Sequence, residues 1–148
     1  DRCLLMHYVH VAHDCEVGDG VVLANSAQLG GHVTLEGEAT VGALVGVHQF
    51  ARVGRLSMVA AGAMVSKDVL PFTLVQGDRA RLVGLNGTGL RRAGVDAGSR
   101  AALKEALRSL QARGEPMAAR RARIEALEDP YVDELAAFLD RSSRGVLV

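Results

Sequence analysis

A leucine or valine occupies every sixth position of the sequence from Leu5 to Val65. These positions are Leu5, Val11, Val17, Leu23, Leu29, Leu35, Val41, Val47, Val53, Val59 and Val65. The residue two positions before each of them is usually small or valine. A period of six does not fit the 3.6 residues of an α-helical turn, whereas residues two apart in an extended chain face the same side. Each hexad is therefore predicted to send one small and one large side chain inward and then to turn.

Glycine often follows the repeated aliphatic residue, as Gly18, Gly30, Gly42 and Gly54 show. Glycine suits a corner where the backbone bends or approaches its neighbour closely. A hexapeptide period of this kind is the signature of a parallel β-helix, which we predict for residues 1–77. The pattern resembles the left-handed β-helix of the hexapeptide acyltransferases, in which three hexads form one triangular coil.

The second half of the sequence loses the hexad after Pro71. Residues 72–93 are rich in glycine and arginine and are predicted to form a connector. Three helical segments are predicted beyond it: one capped by Ser99 and ending near Gly114, one from about Met117 to Leu127, and one beginning at Pro130. We therefore predict two parts, a β-helix over residues 1–77 and a connector with a small C-terminal α-helical domain over residues 78–148.

Composition argues against several classes of function. The formal net charge is +0, whereas a general nucleic-acid binder carries a basic surface. No apolar run approaches the roughly 18 residues of a membrane span. The first residues lack the basic and apolar segments of a signal peptide, so a cytoplasmic protein without membrane insertion is expected.

The two cysteines, Cys3 and Cys15, both occupy inward positions of the repeat. They are two hexads apart, which places them on different faces of a three-sided coil. We therefore predict that they are unpaired and act as small buried apolar residues.

Positions three hexads apart lie above one another on such a coil, at about 4.8 Å. Two neighbouring columns contain polar or aromatic residues: His13, Gly31 and Gln49 in one, and Asp14, His32 and Phe50 in the other. His10 and His48 lie close to the first column. Four of the five histidines are thus predicted to gather along one edge.

Three interpretations of this histidine edge remain open at this point. Polar residues collect at solvent-exposed corners without any function. Histidine is also a common metal ligand, and β-helical carbonic anhydrases bind zinc through three histidines at subunit interfaces. The third interpretation is acyl transfer, because histidine, with an ordinary pKa of about 6.5, is a natural general base near neutral pH. A glycine one coil away offers an unobstructed backbone N–H to an oxyanion.

Several longer strings narrow the choice. The runs LLMHYVHVAHDCEVGD, LANSAQLGGHV, VGVHQF and DVLPFTLVQGDRAR closely resemble the UDP-N-acetylglucosamine O-acyltransferase family of lipid A biosynthesis. VGLNGTGLRRAG and RSSRGVL resemble its C-terminal helical domain. The resemblance covers essentially the whole chain, although the family's chains have several further coils on the N-terminal side. It implies transfer of a 3-hydroxyacyl group from acyl carrier protein to the 3-hydroxyl of UDP-N-acetylglucosamine, the first step of the pathway.

The resemblance also implies roles for individual residues. His13 is the expected general base, and the backbone N–H of Gly31 is the expected oxyanion donor. The expected substrate-binding residues are His10, His32, His48, Gln49, Asn86 and Arg92. A second basic residue of the family after that arginine is Ala93 here, which implies a rearranged phosphate contact. Ala61 falls at the family's acyl-chain ruler, the position that limits the length of the bound acyl chain. A side chain larger than glycine there implies a shorter acyl pocket.

Asp14 is expected to orient a neighbouring group or simply to be solvated, because consecutive residues of an extended chain point opposite ways and meet only at a corner.

The resemblance further implies a homotrimer with active sites between neighbouring prisms, acyl carrier protein as a partner, and no cofactor or catalytic metal. Four arginines are predicted to form a basic patch for the acidic carrier protein, or to be solvated singly: Arg52, Arg55, Arg79 and Arg81. Two alternatives remain. One is a truncated, non-catalytic trimer that scaffolds or binds acyl carrier protein, and the other is the N-acyltransferase of the same pathway.

Overall fold

The computed structural model describes residues 1–148 and shows one strand and one turn for each hexad. The strands form three sheets. The first contains β1 (Leu4–Leu5), β4 (Val22–Leu23), β7 (Thr40–Val41), β10 (Met58–Val59), β12 (Thr73–Gln76) and β13 (Arg81–Leu85). The second contains β2 (His10–Val11), β5 (Gln28–Leu29), β8 (Gly46–Val47) and β11 (Met64–Val65). The third contains β3 (Glu16–Val17), β6 (Thr34–Leu35) and β9 (Arg52–Val53).

Strands of successive coils pair in parallel. Each residue pairs with the residue three hexads later, as Leu5 does with Leu23. Three turns per coil join the sheets. The first corner contains residues 7–8, 25–26, 43–44 and 61–62, the second contains residues 13–14, 31–32 and 49–50, and the third contains residues 19–20, 37–38 and 55–56. The predicted three-sided coil is thus confirmed.

The final coil differs from the prediction, which ended the repeat at Pro71. Met58 pairs with Leu74, so this coil is shorter than three hexads, and β12 continues the first sheet in parallel. β13 then returns antiparallel to β12, and a short helix, α1 (Gly87–Arg92), follows. The predicted connector over residues 72–93 is therefore structured, because strand pairing with β10 persists after the side-chain period is lost.

The inward residues of the repeat form one apolar core inside the prism. Leu23, Leu29 and Leu35 are each at most 1% exposed, and full burial of such a side chain stabilises by about 1.5–3 kcal/mol before entropy is counted. Leu5 and Val11, in the first coil, are 50% and 37% exposed, because no strand covers that side of them. Cys3 and Cys15 are unpaired, as predicted, but only partly buried for the same reason.

Close approach, rather than bending, explains the glycines of the repeat. A Cβ atom at Gly30 would lie 2.7 Å from the backbone nitrogen of Gln49 in the next coil, and one at Gly42 would lie 2.6 Å from that of Ala61. The left-handed backbone conformation falls instead on the second residue of each turn, every sixth residue of the chain. These residues are Arg2, Tyr8, Asp14, Gly20, Ser26, His32, Glu38, Leu44, Phe50, Leu56 and Gly62.

Three longer helices form the C-terminal domain: α2 (Ala97–Gln111), α3 (Met117–Glu125) and α4 (Pro130–Arg141). The predicted cap at Ser99 is wrong. Asp96 caps α2, with its carboxylate accepting a hydrogen bond from the Ser99 N–H at 2.9 Å. The buried Ser99 hydroxyl instead lies 2.7 Å from Asp129, the capping residue of α4. The predicted start at Pro130 is confirmed. None of the four helices is long and apolar enough to span a membrane.

The helical domain packs on the third corner of the prism, where Leu56, Leu70 and Phe72 join its apolar cluster. Two arginines of the predicted basic patch are engaged at this junction. Arg55 forms two hydrogen bonds with Glu134 of α4, and Arg52 bonds Glu36 at 2.9 Å. These two arginines are therefore not singly solvated, because carboxylates of the chain itself pair with them, and the basic patch for the carrier protein stays a prediction.

The segment after α4 returns to the prism. Leu147 packs into the core of the prism. Asp68, which is 1% exposed, accepts hydrogen bonds from the Arg52 N–H at 2.8 Å and from the Ser142 hydroxyl at 2.7 Å. Its own N–H donates to the Gly145 carbonyl at 3.0 Å. Residues 142–147 thus close the end of the prism that lies beyond β12.

Candidate active site

The second corner brings His13 and Asp14 into contact. Nδ1 of His13 lies 2.9 Å from Oδ2 of Asp14, although the two residues are consecutive. The contact is possible because Asp14 has the left-handed backbone conformation of the turn, with φ of 57°, so the two side chains do not alternate as in a strand. The geometric condition for an orienting carboxylate is therefore met.

Electrostatics define the direction of this hydrogen bond. The hydrogen bond from His13, together with the nearby charge of His32, lowers the pKa of the Asp14 carboxyl from its ordinary value. The carboxylate is thus ionised at neutral pH and only accepts hydrogen bonds. In the neutral imidazole of His13 this hydrogen bond requires the proton on Nδ1, which leaves a lone pair on Nε2. This is the tautomer that a general base requires.

His32 and Phe50 stand above Asp14 in the same column, as predicted. The rings of His13 and His32 meet edge to face, with centroids 5.1 Å apart and an interplanar angle of 89°. The rings of His32 and Phe50 are stacked at 4.7 Å and 8°. Nε2 of His32 lies 3.8 Å from Oδ2 of Asp14, beyond the usual range of a hydrogen bond.

Gly31 lies directly beside the His13 ring. A Cβ atom at this position would lie 2.8 Å from both Cε1 and Nε2 of His13, so only glycine admits the ring in this orientation. Gly31 is buried. Its N–H donates to no backbone or side-chain acceptor of the chain. A free backbone donor and the basic nitrogen of His13 therefore lie next to each other.

A groove of about 750 Å³ runs along the second sheet, adjacent to this corner. His10 and His48 both line it, as do Gln28, Met64 and Arg79. Nδ1 of His48 lies 3.0 Å from the carbonyl oxygen of Gln49, which is exposed at the corner. The four histidines are thus divided between two features, His13 and His32 at the corner and His10 and His48 in the groove.

Three of the expected site residues lie elsewhere on this chain. Asn86 caps α1 and donates a hydrogen bond to the Leu56 carbonyl at the third corner, at 2.9 Å. Arg92 is exposed at the end of α1. Ala61 is exposed at the first corner, outside the groove lining. Within one chain, these three residues do not converge with His13.

The structure places three possible metal ligands close together at the second corner. His13, Asp14 and His32 each offer one ligand atom, all within 4.8 Å of one another. The set is two histidines and one carboxylate, not the three histidines of the sequence interpretation. All three side chains are exposed, and Asp14 is hydrogen-bonded to His13.

Gln28 and Met64 are groove residues that the sequence interpretation missed. Gln28 pairs with His10 and is followed in the same column by Gly46 and then Met64. The same three-hexad spacing that placed Gly31 above His13 would have found them.

These features define a class of protein. The sequence profile of the bacterial transferase hexapeptide family matches residues 1–31, and the prism is the left-handed parallel β-helix of such transferases. The profile of domain 2 of the UDP-N-acetylglucosamine O-acyltransferases matches residues 68–147, more than half of the chain. The chain therefore belongs to the UDP-N-acetylglucosamine O-acyltransferase family.

Individual relatives agree with this assignment. The acyl-acyl-carrier-protein–UDP-N-acetylglucosamine O-acyltransferase of Alkalilimnicola ehrlichii is 42% identical over 149 residues, which cover 99% of this chain and 58% of that protein. The enzyme of the same name from a Synechocystis species is 40% identical over 150 residues, covering 97% of this chain and 52% of that protein.

Solved structures give the same result. The UDP-N-acetylglucosamine acyltransferase from Campylobacter jejuni superposes with a TM-score of 0.91 at 35% identity, and that from Bacteroides fragilis with a TM-score of 0.93 at 32% identity. Each match covers 99% of this chain and 58% of the other. The chain thus spans a little over half the length of the relatives that it matches.

Proposed function

We propose that this chain carries the catalytic base of an O-acyltransferase that moves a 3-hydroxyacyl group from acyl carrier protein to the 3-hydroxyl of UDP-N-acetylglucosamine. The observation that carries the proposal is the contact of His13 with Asp14 beside the free N–H of Gly31. The names of the relatives contain acyl-carrier-protein and UDP-N-acetylglucosamine. We propose that both are substrates of this chain as well.

The proposed reaction uses the groups in sequence. Nε2 of His13 takes the proton of the sugar 3-hydroxyl, whose oxygen attacks the thioester carbonyl of the acyl carrier. The carbonyl oxygen becomes an oxyanion, to which the Gly31 N–H donates a hydrogen bond. The tetrahedral intermediate then collapses. The C–S bond breaks, the ester forms, and the proton held by His13 passes to the leaving thiolate. No cofactor enters these steps.

The remaining substrate contacts belong to the same proposal. The groove of His10, His48 and Met64 is apolar with a few polar groups, which suits an acyl chain and part of a nucleotide sugar. Asn86 and Arg92 are proposed to contact the nucleotide sugar in a homotrimer, where a neighbouring prism brings them to another chain's second corner. An arginine suits a diphosphate. A cytoplasmic location also stays a prediction.

An acyl-transfer assay with UDP-N-acetylglucosamine and 3-hydroxyacyl carrier protein tests the proposal. His13→Ala is expected to lower kcat by about 100- to 10,000-fold, the usual contribution of a general base. His7→Ala, at the first corner, is the matched control and is expected to keep the rate. Activity that survives His13→Ala removes this residue as the base. Carrier-protein binding without turnover in the wild type would instead favour the non-catalytic scaffold.

A further inference from the structure

We propose that Phe50 is a positioning residue, whose ring holds the His32 imidazole so that Asp14 stays hydrogen-bonded to His13. The catalytic consequence rests on the function proposed above. The ring orientation itself is measurable without turnover.

Phe50 occupies the second turn position of the second corner. It has a left-handed backbone conformation, with φ of 64°, and it is 52% exposed. Phe50 belongs to neither apolar cluster of the chain. Its ring stacks on the imidazole of His32.

The backbone hydrogen bonds between successive coils do not determine how the His32 ring is oriented. The His32 N–H donates to the His13 carbonyl, and the Phe50 N–H donates to the Gly31 carbonyl, each at 3.0 Å. These bonds fix the height of each residue above the coil below. They do not fix the side-chain torsions of His32, whose side chain is 43% exposed. The parallel stack with Phe50, within the preferred range of ring separations, supplies that constraint.

The constraint matters because two imidazoles face one carboxylate oxygen. Oδ2 of Asp14 lies 2.9 Å from Nδ1 of His13 and 3.8 Å from Nε2 of His32. A small rotation of His32 would bring Nε2 within hydrogen-bond range. The Asp14 side chain is 65% exposed, so it is free to move toward the rotated His32 ring. The carboxylate would then be shared between two imidazoles, and a shift of Asp14 toward His32 would lengthen its bond to His13 and hold the His13 ring less firmly.

Leu44 provides a matched position at the first corner of the same coil. It has φ of 58°, is 66% exposed, and bonds the coil below through its N–H at 3.0 Å. No histidine stacks on it. Leu44→Ala therefore removes an exposed apolar side chain from the same kind of turn and leaves the second corner of the same chain unchanged.

Steady-state kinetics on the whole chain test the proposal. Phe50→Ala is expected to lower kcat about 10-fold, below the roughly 100-fold that a misplacement of about 1 Å costs. Phe50→Tyr keeps the ring and is expected to restore the rate, and Leu44→Ala is expected to match the wild type. In an Asp14→Ala background, Phe50→Ala should change kcat less than about 2-fold, because the bond that it protects is already absent. Equal losses in both backgrounds, or equal losses for Phe50→Ala and Leu44→Ala, would overturn the proposal.

NMR of the imidazole protons tests the positioning role without acyl transfer, so it can refute this proposal independently of the proposed function. The Nδ1 proton of His13 is expected to exchange faster with water in Phe50→Ala and at the wild-type rate in Phe50→Tyr and Leu44→Ala. An unchanged exchange rate in Phe50→Ala overturns the positioning role, whatever the activity. A wild-type chain without acyl transfer but with this exchange pattern refutes the proposed function alone.

Discussion

Arg55 and Glu134 join the two parts of the molecule through a two-pronged ion pair, with Nε to Oε1 at 2.8 Å and Nη2 to Oε2 at 2.9 Å. The guanidinium also lies over the rings of Phe72 and Tyr131, at 5.2 and 5.8 Å from their centroids. These contacts raise the pKa of Arg55, mainly through the hydrogen bonds to Glu134.

A double-mutant cycle of Arg55→Ala and Glu134→Ala is expected to give a coupling energy of about 1–2 kcal/mol, since residues in one ion-pair network couple by about 0.5–3 kcal/mol. Urea unfolding of the four proteins measures it. The control is Arg108 with Glu105, an exposed pair three residues apart on α2, for which at most about 0.5 kcal/mol is expected. Equal coupling energies in the two cycles would show that the Arg55–Glu134 pair stabilises the fold no more than an exposed surface pair does.

Asp14→Ala is expected to lower kcat by about 100-fold, because the His13 tautomer and orientation are no longer imposed. The KM for the nucleotide sugar should change little. Since the pKa of Asp14 is lowered from its ordinary value, the carboxylate holds its charge as pH falls and loses it only below the ordinary range of about 3.9. A pH–rate profile between pH 5 and pH 9 should therefore show no step from this residue.

Gly31→Ala is expected to reduce kcat by about 100-fold or more, because the added methyl group displaces the His13 ring from the oxyanion donor. The matched control is Gly37→Ala, at the first turn position of the third corner. A Cβ atom there meets only the Asp19 carbonyl, at 3.4 Å. Equal loss of activity in both variants would show that alanine disturbs the turn and not the site.

Ala61→Gly is expected to shift the acyl-chain preference toward longer chains, because in the proposed homotrimer the loss of the methyl group would deepen an acyl pocket against a neighbouring prism. Ala43→Gly, one coil below in the same column, is the control. Competition between carrier proteins that carry different acyl lengths measures the preference. An unchanged profile in Ala61→Gly would refute the ruler assignment.

Asp96→Asn tests the pH dependence of the α2 cap. The backbone N–H and the hydroxyl of Ser99 lower the pKa of the Asp96 carboxyl. Its extra stabilisation is therefore complete above the unfolded value of about 3.9 and disappears as pH falls through the folded value. Asparagine also caps a helix but does not titrate. The wild type should be more stable than the variant at pH 7 and converge with it near pH 2, as thermal unfolding would show. A constant difference would contradict this account.

The stacking of the second corner was predictable from the six-residue period together with the three hexads per coil that the family resemblance implies. His13, Gly31 and Gln49 follow one another at intervals of three hexads, and three equal hexads per coil place them in one column. The contact between His13 and Asp14 was not predictable in this way, because it depends on the left-handed conformation of Asp14. Tyr8, Ser26 and Leu44 have the same conformation with unrelated side chains, so the residue type does not reveal it.

Long-range pairing explains the other failures. The ion pair of Arg55 was missed because its partner, Glu134, is 79 positions away in the sequence. The shortened last coil was missed because strand pairing, and not side-chain period, carries the sheet to β12. Both depend on backbone or side-chain partners that a local pattern does not contain.

The hydrogen bonds that join Asp68 to Gly145 and to Ser142 also have a consequence for the order of assembly. Asp68 precedes the whole helical domain in the sequence, whereas its partners follow it. During synthesis the coils can stack as they emerge, but the end of the prism beyond β12 stays open until α2, α3 and α4 have been made. Until then the buried carboxylate of Asp68 lacks its hydroxyl donor, and the prism core is uncovered where Leu147 will pack. The last coil of the prism is therefore protected from water only after the final residues of the chain have been made.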